Sequence, residues 1–245
     1  MTWLGREQVH LESVDSTSDE LWRRADQGAA HGLVVRADRQ LAGRGRQGRS
    51  WLGADGSLMV SWLLRFDPVP ASVSALSIVE GLALARALEA FAPGRIRLKW
   101  PNDLLLDGLK VGGLLLESRS GRGLSVVSGL GINLRTPEGG WAELDGRAVA
   151  LDRVVDAGVG EVLAGLLSEL EPAIDKFLEE GPAPAFAEWA RWSALDDRPI
   201  TWERDGVPTR GHVQGIAPDG GLRVALADGT ETVLYSGDVH LREEP

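Results

Sequence analysis

RIRLKWPNDLLLDGLKVGGLLLESRSGRGLSVVSGLGINL, residues 95–134, decides the fold class. Residues 95–100 alternate apolar and polar, as a strand with one covered face does. Pro101 has no N–H to give a ladder and ends that strand. Asn102-Asp103 favours a tight turn, which sets an amide and a carboxylate side by side at the strand end. Residues 104–106 and 111–117 flank Asp107-Gly108, a dipeptide suited to a type I′ hairpin turn. A second hairpin around Gly121-Arg122-Gly123 leads into the apolar run 124–134. Successive hairpins mean antiparallel pairing, and helices surround them. The chain therefore reads as α+β, a mixed sheet flanked by helices, and not as a doubly wound parallel sheet.

Upstream, residues 8–14 alternate loosely and predict a short strand. Ser16 or Ser18 is placed to cap a helix with Asp19 and Glu20 in its first turn and Gly28 at its end. GLVVRAD (32–38) reads as a buried strand, followed by a Gly/Arg-rich loop over 39–57. SLMVSWLLRF (57–66) is a strand closed off by Pro68 and Pro70. Residues 71–91 carry apolar side chains at helical spacing, and 160–180 form an amphipathic helix. In the latter Leu163, Leu166, Leu167, Leu170, Ile174, Phe177 and Leu178 face inward. A shorter helix covers 184–192. From about residue 195, five short alternating strands predict a small barrel. Their turns fall at Asp205-Gly206, Asp219-Gly220-Gly221, Asp228-Gly229 and Ser236-Gly237-Asp238. A boundary near Ala194 divides the chain into domains 1–194 and 195–245.

The 245 residues carry a formal charge of −10 and no cysteine. Disulfides, thiolate metal sites and a cysteine nucleophile are excluded. Such an acidic chain does not bind nucleic acid by bulk electrostatics, so an anionic ligand needs a local basic cluster. No apolar run is long enough to span a membrane, and no signal peptide is visible, so a cytoplasmic protein is expected. The four histidines, His10, His31, His212 and His240, are scattered and suggest no metal site.

Residues 43–48, GRGRQG, match G-x-G-x-x-G in letters only. A turn-like stretch at 51–56 and a strand follow at once, leaving no room for the helix that a dinucleotide site requires. The loop offers instead Arg44, Arg46 and Arg49 among glycines. Guanidinium groups bind phosphate or carboxylate, and glycines let backbone approach a ligand. Trp51 at its end either stacks on a ring or anchors the loop. The second constellation is Lys99-Trp100-Pro101-Asn102-Asp103, then Lys110-Val111-Gly112-Gly113. These hold two of the three lysines in the chain, eleven residues apart. A lysine on a sheet facing loop arginines suits a strongly anionic ligand between them. Taken singly, a solvated loop and a weak surface ion pair explain the same residues.

Taken together, Ser16-Thr17-Ser18, Gln40, GRGRQGRSW (43–51), KWPND (99–103) and KVGGLLLE (110–117) form a specific combination in order and spacing. With it the chain closely resembles the bacterial biotin–protein ligases over nearly its whole length. GIAPDGGLRV (215–224) and SGDVHLR (236–242) look like that family's terminal domain. The resemblance implies a catalytic domain like that of class II aminoacyl-tRNA synthetases, shared with lipoate ligases, plus a small SH3-like barrel. It also implies two reactions. Biotin and ATP, with Mg²⁺, give biotinyl-5′-AMP and pyrophosphate, and the biotinyl group then passes to a lysine of the biotin carboxyl carrier protein of acetyl-CoA carboxylase.

Carried over, the resemblance assigns Ser16 and Thr17 to the ureido ring, and Gln40 and Arg44 to biotin near its carboxylate end. Ser18, Gly45 and Gly113 join the biotin site. Arg46 and the loop close over the adenylate, with Arg49 beside them. Lys110 sits between the biotin carboxylate and the α-phosphate. Asn102 and Trp51 lie on the adenylate side. Lys110, Asp103 and Arg46 become the catalytic set, with Asp103 orienting or deprotonating the attacking amine. The family commonly has Asn where Ser18 stands, which puts Ser18's ligand contact in question. The first motif begins at residue 16, without space for a winged helix, so a ligase without repressor activity is expected. Relatives include homodimers joined at a sheet edge, and the resemblance leaves a homodimer open. The rival readings are a lipoate–protein ligase or octanoyltransferase, which look different at the Gly/Arg loop, and a non-catalytic biotin-binding module.

Overall fold

A computed structural model describes residues 2–51, 53, 55–141, 147–204 and 206–241. Strands β1 (Gln8–Val14), β2 (Val34–Gln40), β3 (Leu58–Phe66), β4 (Ile96–Lys99), β5 (Asp103–Leu106), β6 (Leu109–Ser120) and β7 (Leu124–Ile132) form one sheet. Their order is β1-β2-β3-β7-β6-β5-β4. β1 and β2 pair in parallel and the other neighbours antiparallel, which makes the sheet mixed, as expected. At the β5–β6 turn Asp107 and Gly108 both adopt positive φ, 52° and 79°, as a type I′ hairpin requires.

Helix α1 (Thr17–Asp26) covers one face of the sheet. Helices α2 (Leu76–Glu89) and α3 (Val159–Glu180) build the core on the other. Strand β3 shows the division. Val60, Trp62 and Leu64 join the large core with α2 and α3, while Leu63 packs with Leu21 and Trp22 of α1. A strand covered on both faces needs no polar alternation, hence its apolar run. Ser61 breaks that run and is fully buried on the α1 side. On the opposite face Glu80 of α2 is also fully buried. Its Oε1 accepts the Trp62 indole N–H at 2.9 Å and the Ser128 hydroxyl at 3.1 Å. Its Oε2 has no partner among the described residues. Burial pushes its carboxyl up to about 8, against the pull of those two hydrogen bonds.

Three local expectations are corrected. α2 begins only at Leu76, after a 3-10 turn over Val73–Ala75. Ser16 holds the N-cap position of α1, but through its carbonyl, which accepts the Glu20 N–H at 2.9 Å; its side chain makes no cap bond. Leu178 does not face inward and is 46% exposed. α3 has 22 residues and packs on the 14-residue α2, so its last turn runs past the cover and Phe177 alone stays buried there.

After α4 (Ala183–Trp192), strands β8 (Pro199–Arg204), β9 (Val207–Ile216), β10 (Leu222–Leu226), β11 (Glu231–Leu234) and β12 (His240–Leu241) form a second sheet. It is antiparallel, in the order β11-β10-β9-β8-β12. β9 bulges at Gln214, which has no partner on β10, beside Gly215, where φ is 103°. The two sheets meet beside β4: Ala194 N–H bonds Leu98 O at 2.7 Å, and the Trp100 indole N–H bonds Gly220 O at 3.2 Å. Leu52 and Ala54 of the expected turn-like stretch, Asp205 of an expected turn and Arg242 of the last expected strand lie outside the described residues. Among the described residues no helix is long and apolar enough to cross a membrane.

Candidate active site

A cavity of about 770 Å³ opens on the α1 side of the large sheet. Every site residue expected from the sequence lines it: Ser16, Thr17, Ser18, Gln40, Arg44, Gly45, Arg46, Arg49, Trp51, Asn102, Asp103, Lys110 and Gly113. They come from the start of α1, the end of β2, the Gly/Arg loop and the β4–β5–β6 hairpins, so the sheet brings together segments far apart in sequence.

One end is a polar cluster. Gln40 Oε1 accepts the Thr17 backbone N–H at 2.7 Å and the Thr17 hydroxyl at 3.0 Å. Ser61 Oγ lies 2.8 Å from Thr17 Oγ1 and 3.1 Å from Ser18 Oγ. The floor beneath is β7, where Gly129 and Gly131 lack side chains. A Cβ on Gly129 would stand 2.5 Å from Ser18 Oγ, and one on Gly131 would stand 2.2 Å from the Trp51 indole. Trp51 therefore lies flat on the sheet, and its Nε1 is buried without a partner among the described residues.

In the middle, Lys110 Nζ lies 2.5 Å from Asp103 Oδ1 and 5.8 Å from the centre of the Trp51 ring. Register explains the meeting. Asp103 pairs with Gly113 across β5–β6, and Gly113 offers no side chain to separate them. A bulge between Leu104 and Leu105 then brings Lys110 opposite Leu105. Asn102 is tied to the hairpin, its Nδ2 donating to Leu114 O at 2.7 Å.

The loop arginines diverge, where the sequence suggested a trio facing the lysine. Arg44 reaches outward and donates to Asp19 at 2.7 Å and Glu117 at 2.8 Å. Arg49 donates to Asp238 of the second sheet's terminal segment at 2.7 Å. Arg46 makes no ion pair among the described residues, and desolvation holds its guanidinium below the usual value, against the charges of Asp238 and Asp103. Asp19 and Glu117 thus hold Arg44, and Asp238 holds Arg49, while Arg46 is left without a carboxylate partner among the described residues.

Lys99, Arg147, Asp238 and His240 also line the cavity, and Ser61 lies directly behind it. The sequence reading gave none of them a role. For Asp238 the signal was present in SGDVHLR; for Ser61 it was a lone hydroxyl inside an apolar strand. Asp238 is held below the usual carboxylate range, first by its hydrogen bond from Arg49 and then by the charges of Arg49, His240 and Lys99.

The mixed sheet carries a Gly/Arg-rich loop beside a lysine–carboxylate pair and is followed by a small antiparallel sheet. The chain belongs to the biotin/lipoate A/B protein ligase family, whose signature spans residues 10–133; that of the biotin protein ligase C terminal domain spans 197–242. It is 36% identical over 248 residues to the biotin–[acetyl-CoA-carboxylase] ligase of Mycobacterium tuberculosis, covering 95% of this chain and 88% of that protein. It is 32% identical over 242 residues to the bifunctional ligase/repressor BirA of Escherichia coli, covering 95% and 73%. The structure of the Aquifex aeolicus biotin protein ligase in complex with biotin and ATP superimposes with a TM-score of 0.82 at 29% identity, covering 98% of this chain and all of that one.

Proposed function

We propose that this chain is an ATP-dependent biotin–protein ligase that modifies the biotin carboxyl carrier protein of acetyl-CoA carboxylase. The observation that carries the reading is the Lys110–Asp103 pair, set between a hydroxyl- and amide-lined end and a loop whose Arg46 lines the cavity without an ion pair among the described residues. The similar ligases named above support the substrates.

In the first step a biotin carboxylate oxygen attacks the α-phosphorus of ATP, the α–β phosphoanhydride bond breaks and pyrophosphate leaves. Two anions must approach, so positive charge has to be fixed where they meet. Lys110 supplies it between carboxylate and α-phosphate, and Arg46 supplies it from the loop. Arg44 joins them by exchanging Asp19 or Glu117 for the biotin carboxylate. Ser16, Thr17 and Ser18 hold the ureido ring, with Gly45 and Gly113 giving backbone access. Gln40, which the resemblance set near the carboxylate end, is given to the ring end in this reading because its Oε1 accepts from the Thr17 N–H and hydroxyl. Trp51, Asn102 and Arg49 hold the adenylate side. Among the described residues no group of three or more His, Cys, Asp or Glu side chains could hold a metal ion. Magnesium is assigned to the substrate, as MgATP, since that ion takes most of its ligands from phosphate oxygens and water.

In the second step the carrier lysine amine attacks the biotinyl carbonyl carbon, an amide forms and AMP leaves with the bonding pair. The amine loses its proton, and Asp103 is the group that accepts or directs it. Residues 1–194 form the ligand-binding unit. Residues 195–245 form a terminal unit whose segment 237–241 closes one cavity wall. The reaction belongs in the cytoplasm, and with a net charge of −10 no nucleic-acid partner is proposed.

The test is ATP–pyrophosphate exchange with biotin, with lipoate and with no acid, followed by transfer to a purified carrier domain. Exchange with biotin alone, then carrier labelling, is expected. Exchange with lipoate instead would make the chain a lipoate ligase, and no exchange with either would reduce the cavity to a binding module.

A further inference from the structure

The polar cluster has a fixed proton direction. The Thr17 backbone N–H can only donate, so the Gln40 atom 2.7 Å from it is the oxygen, and the Gln40 amide orientation is settled. That oxygen can only accept, so the single Thr17 hydroxyl proton goes to it across 3.0 Å. Ser61, 2.8 Å from Thr17 Oγ1, must then donate to Thr17. Having spent its only proton, Ser61 accepts from Ser18 across 3.1 Å. The relay runs Ser18 to Ser61 to Thr17 to Gln40, and all three hydroxyl protons are committed inside the protein.

This leaves the cavity end with a definite character. Thr17 and Ser18, which line the cavity, turn only lone pairs toward it. Gln40 Nε2 keeps its N–H groups, with no acceptor among the described residues. Acceptors beside a donor pair match a cyclic urea, which offers two N–H groups and one carbonyl. They mismatch a ring without N–H groups, such as a dithiolane, which would bury the hydroxyl lone pairs unpartnered. Ser61 itself is fully buried and does not line the cavity.

We infer that Ser61 is a positioning residue that makes the ring-binding end of the cavity selective for ligands with urea-type N–H donors, by consuming the Ser18 proton and supplying the one that Thr17 accepts. The inference rests on the biotin reading and deepens it. Without Ser61 the Ser18 hydroxyl turns freely and can present its proton to the ring, and Thr17 loses its donor.

The experiment is titration of the full chain with biotin and with a biotin derivative methylated at a urea nitrogen, alongside biotin-dependent exchange kinetics. For Ser61→Ala, biotin affinity and KM for biotin should weaken at least tenfold. The preference for biotin over the methylated ligand should fall by a similar factor, while KM for ATP and kcat at saturating biotin stay within twofold. Ser61→Thr, which restores the hydroxyl, should recover most of the loss. If Ser61→Ala does not fold, Ser18→Ala cuts the relay at its end and should show the same fall in preference. Unchanged preference in the folded variants overturns the relay and leaves the ligase reading standing. A wild-type chain that binds no biotin overturns both.

Discussion

Lys110 and Asp103 face each other at 2.5 Å across neighbouring strands, inside the cavity and partly open to it. The pair is placed by register, through the Asp103–Gly113 pairing and the bulge beside it, and not by a flexible loop. Its geometry is therefore present before any ligand arrives.

Separate loss of the two half-reactions follows. Lys110→Ala should lower biotin-dependent pyrophosphate exchange by about 10²–10⁴-fold, the range for removing a fixed charge at a developing anion or a proton-transfer group. Asp103→Ala should leave exchange within about threefold and lower transfer of preformed biotinyl-AMP by about 10²–10⁴-fold. Single-turnover assays of each step decide it; equal losses in both steps would remove Asp103 from the amine's side.

Arg46 is the loop arginine without an ion pair among the described residues, so its guanidinium is placed to close over an adenylate. Arg46→Gly should release biotinyl-AMP into solution during turnover, several times faster than the unmodified chain. Trapping the released adenylate with hydroxylamine measures this. Unchanged release would mean that the loop is not held shut by Arg46.

Trp51 lies on Gly131, where a Cβ would come within 2.2 Å of its indole. Gly131→Ala should push the indole off the sheet at a stability cost of about 1–3 kcal/mol. ATP affinity should weaken as Trp51 moves. Tryptophan fluorescence with and without ATP, beside a denaturant titration, reads both; native stability with native ATP affinity would mean that Trp51 does not depend on that floor.

Glu80 links stability to pH. Its carboxyl sits at about 8 when folded and ionises near the ordinary glutamate value of 4.5 when unfolded. The raised folded value means that the buried acid's contribution is full below about 4.5 and drains away as pH rises to about 8, by at most on the order of 5 kcal/mol. Glu80→Gln keeps the shape and removes the titration. Unfolding free energies at several pH values between 5 and 9 should fall more steeply for the wild type than for the variant. Parallel curves would show that Glu80 does not titrate in this range.

The hairpins of residues 95–134 were legible because turn chemistry is local: Asp107-Gly108 and Pro101 announce themselves within a few residues. The cavity lining was legible through the motifs, whose expected site residues all line it. The direction of the arginines was not, because Arg44 is claimed by Glu117, 73 positions away, and Arg49 by Asp238, 189 positions away. Nothing near either arginine in sequence marks those carboxylates. Ser61 escaped notice for a related reason. It matters through what α1 sets against it, and a hydroxyl in an apolar strand is silent until the helix above it is known. Leu178 misled because helical spacing says which face is inward but not where the cover stops.

The neighbours Ser61 and Trp62 point to opposite sides of β3, one into the proton relay and the other onto Glu80. A slip of one residue in that strand would thrust an indole among the ring-binding hydroxyls and leave a serine beneath α2. The same error would thus spoil recognition and packing together, so any chain that has folded stably around Trp62 has already spelled out the ligand-reading end of its cavity.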